Sequence, residues 1–328
     1  MGRMADGARA FWIAAPGRGE IRDESLPTAS DDDVIVRALY SGISRGTESL
    51  VFQGRVPPSE YQRMRAPFQV GTFPAPIKYG YSSVGRIERG PRELKNRTVF
   101  VLYPHQTRYV VPAQSVHVLP DEVPPERAVL TATLETAING LWDARPHLGD
   151  RIVVIGGGTV GCLVAWLAGR IPGCDVELVD VNPQREAIAH VFGVRFAAPD
   201  TIWEGADVVI HASGAPAGLE LALRVAGFEA RVVEMSWYGD QPVRLPLGEA
   251  FHARRLTLLS SQVGTVAASQ RARWDTRRRM QLALTMLTDA ALDVLITGES
   301  GFDELPGTMA ELAGGAAGDT LCHRIRYS

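Results

Sequence analysis

The distribution of hydrophobic and polar positions divides the chain into two kinds of structure. Up to about residue 125, short apolar or alternating runs are separated by Gly and Pro, a pattern that predicts β-strands joined by turns. These runs lie at 34–38, 84–87, 98–102 and 108–111. The stretch 53–76 contains five prolines and little periodicity. We expect it to form a long surface loop.

From residue 151 onward, apolar strands alternate with helices. The predicted strands are 151–155, 175–179, 206–211, 230–235 and 256–261, and the predicted helices are 160–170, 184–192 and 217–225. Strands that recur every 25 residues or so, with helices between them, predict a parallel, doubly wound sheet. After Gly264 a helix is predicted at 271–287, and the chain ends in a predicted strand at 323–327.

Composition and charge limit the classes of function. With 45% hydrophobic and 22% charged residues the chain is typical of soluble globular proteins. Its net charge of −3 creates no field for nucleic acid. Three widely spaced cysteines predict neither a disulfide framework nor a zinc cluster, and we expect a cytoplasmic location. We predict no targeting segment, because the N-terminal apolar run at 10–16 is too short for a signal peptide, and no membrane span, because the longest uncharged run contains a glycine turn.

One motif carries recognisable chemistry. Residues 156–161 read Gly-Gly-Gly-Thr-Val-Gly and match G-x-G-x-x-G between a predicted strand and a predicted helix. Glycines there permit a tight turn, a close approach of backbone to a pyrophosphate, and close packing of helix and strand. Asp180 ends the next strand, where a carboxylate accepts hydrogen bonds from a ribose. The alternative is a glycine-rich turn in an α/β domain that binds no nucleotide.

Asp180 also bears on the choice of cofactor. A carboxylate at this position repels a 2′-phosphate, so we predict NAD in preference to NADP. Arg185 could offset that repulsion by binding a phosphate. We expect it instead to lie at the adenosine end of the dinucleotide.

Two segments of the N-terminal part resemble a known superfamily. Residues 41–48, Ser-Gly-Ile-Ser-Arg-Gly-Thr-Glu, and 80–85, Gly-Tyr-Ser-Ser-Val-Gly, are similar to the two catalytic-zinc segments of the medium-chain dehydrogenases/reductases. The resemblance extends over nearly the whole chain. It implies an α/β protein with a GroES-like, mostly-β catalytic domain at 1–146, a Rossmann domain at 147–264, and a return to the catalytic domain at 265–328.

The three positions that hold zinc ligands in this superfamily are changed. Ser44, Tyr81 and Ala132 stand there, and a hydroxyl, a neutral phenol and a methyl group are poor zinc ligands. The chain therefore resembles a zinc-independent branch, and we predict no zinc or other metal. The amino-acid sequence of the two segments is most similar to that of the bacteriochlorophyllide hydroxyethyl dehydrogenases. The region 102–107 does not fit those enzymes, so their substrate is not carried over.

The resemblance implies further cofactor contacts. Arg45 stands where the family has an arginine that binds pyrophosphate, and Thr136 stands where a threonine contacts the nicotinamide. Polar residues also follow successive strands at the edge where dinucleotides bind. The full predicted cofactor set is Gly156, Gly158, Thr159, Val160, Gly161, Asp180, Arg185, Arg45, Thr136, Ser213, Gly214, Ser236, Trp237 and Ser260.

Without zinc, side chains must perform the acid–base chemistry. Tyr81 is the first candidate, as a hydrogen-bond donor to the substrate oxygen; its alternative role is a wall of the pocket. Glu135 is a candidate base or a buried structural carboxylate. His105 is a candidate base, although we expect an ordinary surface histidine. Glu48 is a candidate for orienting Ser44 or Arg45.

These observations predict an enzyme that transfers hydride between NAD(H) and a small alcohol or ketone, in a cleft between its two domains. We expect a homodimer without nucleic-acid or membrane partners. One alternative is an NADPH-dependent quinone or enoyl reductase, against which Asp180 argues. The other is a dinucleotide sensor without catalysis. The arginine-rich stretch 271–279 is either an attractor for an anionic substrate or, as we expect, a solvated helix face.

Overall fold

The computed structural model describes residues 7–315 and 318–328. The N-terminal residues 1–6, on which part of the prediction about targeting falls, lie outside the described residues. The chain divides into two compact units. Met1–Ala132 and Leu284–Ser328 form the first, here called the β unit, and Thr133–Ala283 form the second, here called the Rossmann unit.

The strands and helices follow in chain order. The strands are β1 Gly7–Ala15, β2 Arg18–Ser25, β3 Asp33–Ile43, β4 Val70–Gly71, β5 Ile77–Lys78, β6 Ser83–Arg89, β7 Thr98–Val101, β8 Arg108–Pro112, β9 His117–Val118, β10 Arg151–Ile155, β11 Asp175–Val179, β12 Arg195–Ala197, β13 Ala206–His211, β14 Ala226–Glu234, β15 Thr257–Ser260, β16 Ile296–Gly301 and β17 Cys322–Arg326. The helices are α1 Arg45–Phe52, α2 Thr131–Ala144, α3 Thr159–Ala168, α4 Arg185–Phe192, α5 Pro216–Val225, α6 Ala250–Ala253, α7 Thr276–Met286 and α8 Leu305–Ala313.

Two sheets form the β unit. One has the strand order β2-β1-β5-β4, and the other runs β16-β17-β3-β6-β7-β9, with β8 also paired to β3. Along β3, Val34, Val36 and Ala38 are buried while Arg37 is exposed, because successive side chains of a strand point to opposite faces. The strands predicted from alternation in the first part of the chain are confirmed.

The C-terminal segment completes the β unit. Strand β17 pairs antiparallel with β3, with Ile325 opposite Ser41. The buried Arg127 also joins the N-terminal part of the unit to the C-terminal segment. Its guanidinium donates to both carboxylate oxygens of Asp293, at 2.6 and 2.7 Å. Two parallel charge-assisted hydrogen bonds fix both distance and orientation. The predicted C-terminal strand is therefore confirmed, and its partner is the longest strand of the sheet.

The proline-rich stretch 53–76 differs from the expected surface loop. Val56, Gln69 and Phe73 within it are buried, and β4 gives it a short pairing with β5. The ring of Phe73 lies 5.6 Å from that of Tyr61 and 5.9 Å from that of Tyr79. The contact with Tyr79, which lies outside the stretch, packs it against the rest of the unit. Prolines thus mark irregular backbone here without marking exposure.

The Rossmann unit confirms the doubly wound sheet. Its strands are all parallel, in the order β12-β11-β10-β13-β14-β15. In β10, Ile152, Val153, Val154 and Ile155 are all buried, as expected for a strand that is covered on both faces. The strand order reverses between β10 and β13, and ligands of such sheets bind outside the carboxyl ends at that point.

Some boundaries differ from the sequence predictions. Strand β14 begins at Ala226, four residues earlier than predicted, and β12 was not predicted because three residues show no periodicity. Helix α7 begins at Thr276, since the Asp275 carboxylate accepts a hydrogen bond from the backbone N–H of Arg278 at 2.7 Å and caps the helix there. Within the described residues, no helix is long and apolar enough to cross a bilayer.

Candidate functional site

The glycine loop between β10 and α3 has the shape that a phosphate-binding turn requires. Gly156 has φ +108°, and a Cβ on it would lie 2.5 Å from the backbone nitrogen of Ser213. A Cβ on Gly161 would lie 1.8 Å from the carbonyl oxygen of Gly156. A Cβ on Gly158 would meet only open space. The loop is therefore packed tightly on its inner side and accessible at Gly158, where the N-terminus of α3 favours an anion.

Asp180 is bonded to this loop. Its Oδ2 accepts a hydrogen bond from the backbone N–H of Gly157 at 2.6 Å, and its Oδ1 accepts one from the N–H of Asn182 at 2.8 Å. Arg185 is buried beside them, since a Cβ on Gly157 would lie 2.9 Å from its Cγ. Val181 is 84% exposed and offers an apolar surface next to the carboxylate. Each carboxylate oxygen keeps lone pairs for further donors, so these residues fit a dinucleotide.

The remaining predicted cofactor residues lie in both units. In the Rossmann unit, Ser213 and Gly214 follow β13, and the N–H of Gly214 donates to Ser236 Oγ at 3.0 Å. Half-buried Trp237 follows Ser236. The others there are Thr159 and Val160 in the first turn of α3, half-buried Thr136 on α2 and exposed Ser260 at the end of β15. Arg45 belongs to the β unit, where its guanidinium donates to the carbonyls of Gly318 and Thr320 at 3.1 and 2.9 Å.

A chain of buried polar side chains crosses the β unit. The hydroxyls of Tyr327 and Ser41 are 2.9 Å apart, Ser41 Oγ lies 2.7 Å from His105 Nδ1, and His105 Nε2 lies 2.8 Å from Glu48 Oε2. We call these four residues the Glu48 chain. All are buried, with His105 only 1% exposed. The expectation that His105 is an ordinary surface histidine is wrong, because both ring nitrogens have buried partners.

Local backbone geometry brings Glu48 and His105 together. Glu48 lies in the first turn of α1, and its Oε1 accepts the N–H of Ser44, the residue before the helix, at 2.8 Å. Gly80 has φ +126°, and a Cβ there would lie 2.8 Å from the His105 ring. The glycine therefore leaves room for the imidazole. The predicted role of Glu48 in orienting Ser44 corresponds to this backbone hydrogen bond.

Tyr81 is half-buried and lies near Glu48, outside the four residues of the Glu48 chain. Its hydroxyl is hydrogen-bonded to the side chains of Ser44 and Thr47. Burial raises the pKa of Tyr81 well above its ordinary value, and the nearby Glu48 carboxylate raises it further. The phenol therefore stays protonated at neutral pH and acts as a hydrogen-bond donor. Of the predicted catalytic residues, the structure brings together Tyr81, Ser44, Glu48 and His105.

Glu135 has a different environment, in the Rossmann unit. Its carboxylate lies 2.9 Å from Nε of Arg279, and both side chains are buried. The Arg279 guanidinium also donates to Asn139 Oδ1 and to the carbonyl oxygen of Val263. Burial raises the pKa of Glu135, and Arg279 opposes that rise. The expectation of a solvated face at 271–279 is wrong for Arg279, which lies on the apolar side of α7 beside the buried Met280 and Ala283.

The zinc site of the superfamily that the chain resembles does not fit the residues present. Ser44 and protonated Tyr81 offer neutral oxygens, and buried Ala132 offers no ligand atom. Zinc sites in proteins use thiolates, imidazoles and carboxylates. Within the part of the chain that the structure describes, no group of three or more His, Cys, Asp or Glu side chains is arranged to hold a metal ion.

Curated proteins similar in sequence are dehydrogenases. The chain is 30% identical to 2-dehydro-3-deoxy-L-galactonate 5-dehydrogenase of Pseudoalteromonas atlantica over 148 residues, which cover 42% of this chain and 43% of that protein. It is 24% identical to D-arabitol-phosphate dehydrogenase of Enterococcus avium over 275 residues, which cover 70% of this chain and 76% of that protein. No family model matches the chain.

Solved structures with the same fold cover nearly the whole chain. One, described as a zinc-binding dehydrogenase of Sinorhizobium meliloti bound to NADP, has a TM-score of 0.78 at 18% identity and covers 98% of this chain and 99% of its own. An Escherichia coli alcohol dehydrogenase in complex with NADH has a TM-score of 0.77 at 18% identity and covers 98% of this chain and all of its own. These likenesses establish the fold of the medium-chain alcohol dehydrogenases.

The homologues confirm the prediction that the protein is an enzyme. They are named dehydrogenases, which supports an enzyme of the NAD(P)-dependent medium-chain oxidoreductase type. The comparisons show neither the substrate nor the number of subunits.

Several buried or partly buried polar residues of the two units were not among the site residues predicted from the sequence. Ser41 and Tyr327 of the Glu48 chain are distant in sequence and become neighbours only because β17 pairs with β3. In the Rossmann unit, His211 and Glu234 end adjacent strands, and their ring nitrogen and carboxylate oxygen are 2.7 Å apart. A polar residue at the carboxyl end of an otherwise apolar strand was the available signal.

The environment of Glu135 predicts a structural role. Replacing it with Gln leaves the buried Arg279 charge without its counter-ion, and breaking a buried pair costs about 3–5 kcal/mol. We therefore expect Glu135→Gln to lower the free energy of unfolding by roughly that amount, measured by urea denaturation. Exposed Glu186 on α4, replaced in the same way, serves as the control. Unchanged stability together with lost turnover would indicate that Glu135 is the base.

Proposed function

We propose that the protein is a zinc-independent, NAD(H)-dependent dehydrogenase that oxidises a small alcohol or, in reverse, reduces the corresponding ketone. The observation that carries the proposal is the protonated Tyr81 hydroxyl with the buried Glu48–His105 pair behind it. The Tyr81 hydroxyl supplies a hydrogen-bond donor at a position where the superfamily has a zinc ligand, and the nearby Glu48 supplies a proton acceptor. Homologues named as a D-arabitol-phosphate dehydrogenase and a zinc-type alcohol dehydrogenase-like protein support the same reaction class.

The Rossmann unit supplies the cofactor side of the proposal. The glycine loop is open at Gly158, and the α3 N-terminus favours the pyrophosphate. Asp180 has acceptor capacity for the ribose hydroxyls, and exposed Val181 offers an apolar surface to a purine ring. Proteins of the same fold bind NADP or NADH. We favour NAD because the Asp180 carboxylate repels a 2′-phosphate.

Oxidation of an alcohol requires the removal of a hydride and a proton. The bound NAD supplies the hydride acceptor. In our proposal Tyr81, held by Ser44 and Thr47, positions the substrate oxygen: its hydroxyl accepts a hydrogen bond from the alcohol and, in the reverse direction, donates one to the ketone. During oxidation the alcohol proton passes to the Tyr81 oxygen as the Tyr81 hydrogen passes to the Glu48 carboxylate, which His105 Nε2–H stabilises before the transfer. The Ser41 hydroxyl donates to Nδ1 and keeps the imidazole in that tautomer.

The relatives suggest a class of substrate. Two of them are named for a sugar-acid derivative and a phosphorylated polyol. We therefore propose a polyhydroxylated small molecule, with a secondary hydroxyl as the reacting group. Neighbouring hydroxyls of such a substrate can exchange hydrogen bonds with the half-buried polar groups of Ser44 and Thr47.

The first prediction of this proposal concerns cofactor preference. We expect NADH to bind at least about tenfold more tightly than NADPH, a difference of roughly 1.4 kcal/mol, because in our proposal the Asp180 carboxylate accepts from the ribose hydroxyls and repels a 2′-phosphate. Titration of nicotinamide fluorescence measures both affinities. Asp180→Ser should reduce the preference, and Asp207→Ser, which changes an exposed carboxylate at the start of β13, should leave it unchanged. Equal or tighter binding of NADPH by the wild type contradicts the assignment.

A second prediction concerns metal content. We expect less than stoichiometric zinc in purified, tag-free protein, because Ser44, Tyr81 and Ala132 do not supply a ligand set. Elemental analysis before and after dialysis against a chelator measures it. One zinc per chain that survives the chelator would refute zinc independence.

The third prediction concerns turnover. Tyr81→Phe removes one hydrogen-bond donor without opening a cavity, so we expect kcat to fall by roughly 10²–10³ while NADH affinity stays the same. D-Arabitol phosphate and related polyols, oxidised with NAD, are the first substrates to assay. Glu48→Gln should lower kcat as well, since an amide cannot take the proton.

Tyr109→Phe is the matched control for Tyr81→Phe. It removes a buried tyrosine hydroxyl of the same unit, 2.9 Å from Ser83 Oγ and outside the Glu48 chain. We expect its kcat to equal that of the wild type. Near-normal kcat in Tyr81→Phe, Glu48→Gln and His105→Ala alike would mean that these residues do not perform the acid–base step.

A further inference from the structure

Five polar side chains meet where β13 and β14 end in the Rossmann unit. His211 and Glu234 are opposite each other in the parallel register, with Nδ1 2.7 Å from Oε2. His211 Nε2 lies 2.5 Å from Ser213 Oγ. Tyr238 donates its hydroxyl to Glu234 Oε2 at 2.9 Å, and Ser236 donates its N–H to Oε1 at 2.6 Å. We call this group the His211 cluster.

The charge on Glu234 determines the direction of these hydrogen bonds. Burial disfavours the carboxylate, but the bonds from His211 and Ser236 outweigh that cost and lower the pKa of Glu234. An ionised carboxylate only accepts hydrogen bonds, so His211 carries its hydrogen on Nδ1. In this tautomer the lone pair is on Nε2. The Ser213 hydroxyl must therefore donate its hydrogen inward, to His211.

Ser213 consequently offers only lone pairs to a ligand. One of them accepts the N–H of Ala215 at 3.1 Å, and a hydroxyl oxygen has two. The residue itself is exposed, whereas His211 is fully buried. Ser213 also lies against the glycine loop, since a Cβ on Gly156 would come within 2.5 Å of its backbone nitrogen. The exposed lone pair thus lies beside the loop to which we assign the dinucleotide.

From this arrangement we infer that Ser213 is a fixed hydrogen-bond acceptor for a ribose hydroxyl of the cofactor. The inference rests on the proposed dinucleotide binding and adds the direction of one hydrogen bond, which runs from the ribose hydroxyl to Ser213. His211, Glu234 and Tyr238 are positioning residues, because they act only by turning the Ser213 hydrogen inward. A ligand oxygen without a hydrogen, such as a phosphate oxygen, finds no donor in the Ser213 hydroxyl.

Ser213, His211 and Glu234 have the order of a nucleophilic triad, with serine next to imidazole and imidazole next to carboxylate. Such chemistry also requires N–H donors for the oxyanion. The backbone N–H groups of the next two residues, Gly214 and Ala215, are already bonded to the hydroxyls of Ser236 and Ser213. The geometry therefore favours the acceptor role over covalent catalysis.

The test measures the affinity of NADH and of ADP-ribose, which keeps both riboses, by fluorescence and calorimetry. Loss of one hydrogen bond weakens binding by about five- to tenfold. We expect that loss in Ser213→Ala and its recovery in Ser213→Thr. Tyr238→Phe should weaken binding less, and should have no further effect in the Ser213→Ala background.

Ser300→Ala is the matched control. Ser300 Oγ lies 2.9 Å from His323 Nε2, so this change removes a serine–histidine hydrogen bond in the β unit. We expect unchanged affinity, and thermal unfolding verifies that each variant is folded. Wild-type affinity in Ser213→Ala would overturn the inference and leave the proposed function intact. Absence of NADH binding by the wild type would overturn both. Labelling of Ser213 by a fluorophosphonate, with hydrolysis of p-nitrophenyl acetate, would replace the acceptor role by the nucleophilic one.

Discussion

Burial of carboxylates is the constraint on which both candidate sites depend. Glu48 and Glu135 are almost fully buried, and Glu234 has a side chain that is only 13% exposed. Removing an ionised carboxylate from water costs several kcal/mol unless a partner compensates for it. Each of these three has such a partner, at 2.8, 2.9 and 2.7 Å respectively. The positions of these partners determine much of the polar architecture around them.

The type of partner distinguishes a buried carboxylate with a structural role from one with a chemical role. Glu135 is paired with Arg279, whose guanidinium is always charged and also bonds to Asn139. That arrangement holds a charge in place and has no proton to give. Glu48 and Glu234 are paired with imidazoles, whose two ring nitrogens can donate or accept hydrogen bonds. Both histidines in turn contact a serine hydroxyl. The proton movement that we propose therefore lies in the β unit, and the hydrogen-bond polarity that we infer lies in the Rossmann unit.

The parts of the molecule that sequence reasoning could predict have local signals. The glycine loop, its flanking strand and helix, and Asp180 all lie within about one βαβ unit, and their spacing is informative. The Glu48–His105 pair spans 57 residues and depends on where α1 begins and where Gly80 leaves room. No periodicity reports such a contact. Arg279 looked like part of a solvated basic stretch, since charge density along the chain does not show which residue of a helix faces inward.

The hydrogen bond from Gly157 to Asp180 has a consequence for protein engineering. Changing the coenzyme preference of a Rossmann protein usually begins with the acidic residue after the second strand. Here that residue also holds the N–H of Gly157 and the N–H of Asn182. A small neutral replacement removes the repulsion of a 2′-phosphate but also frees two backbone groups that shape the turn. A successful redesign of coenzyme use would have to supply new acceptors for those groups, so selectivity and loop rigidity cannot be altered independently in this chain.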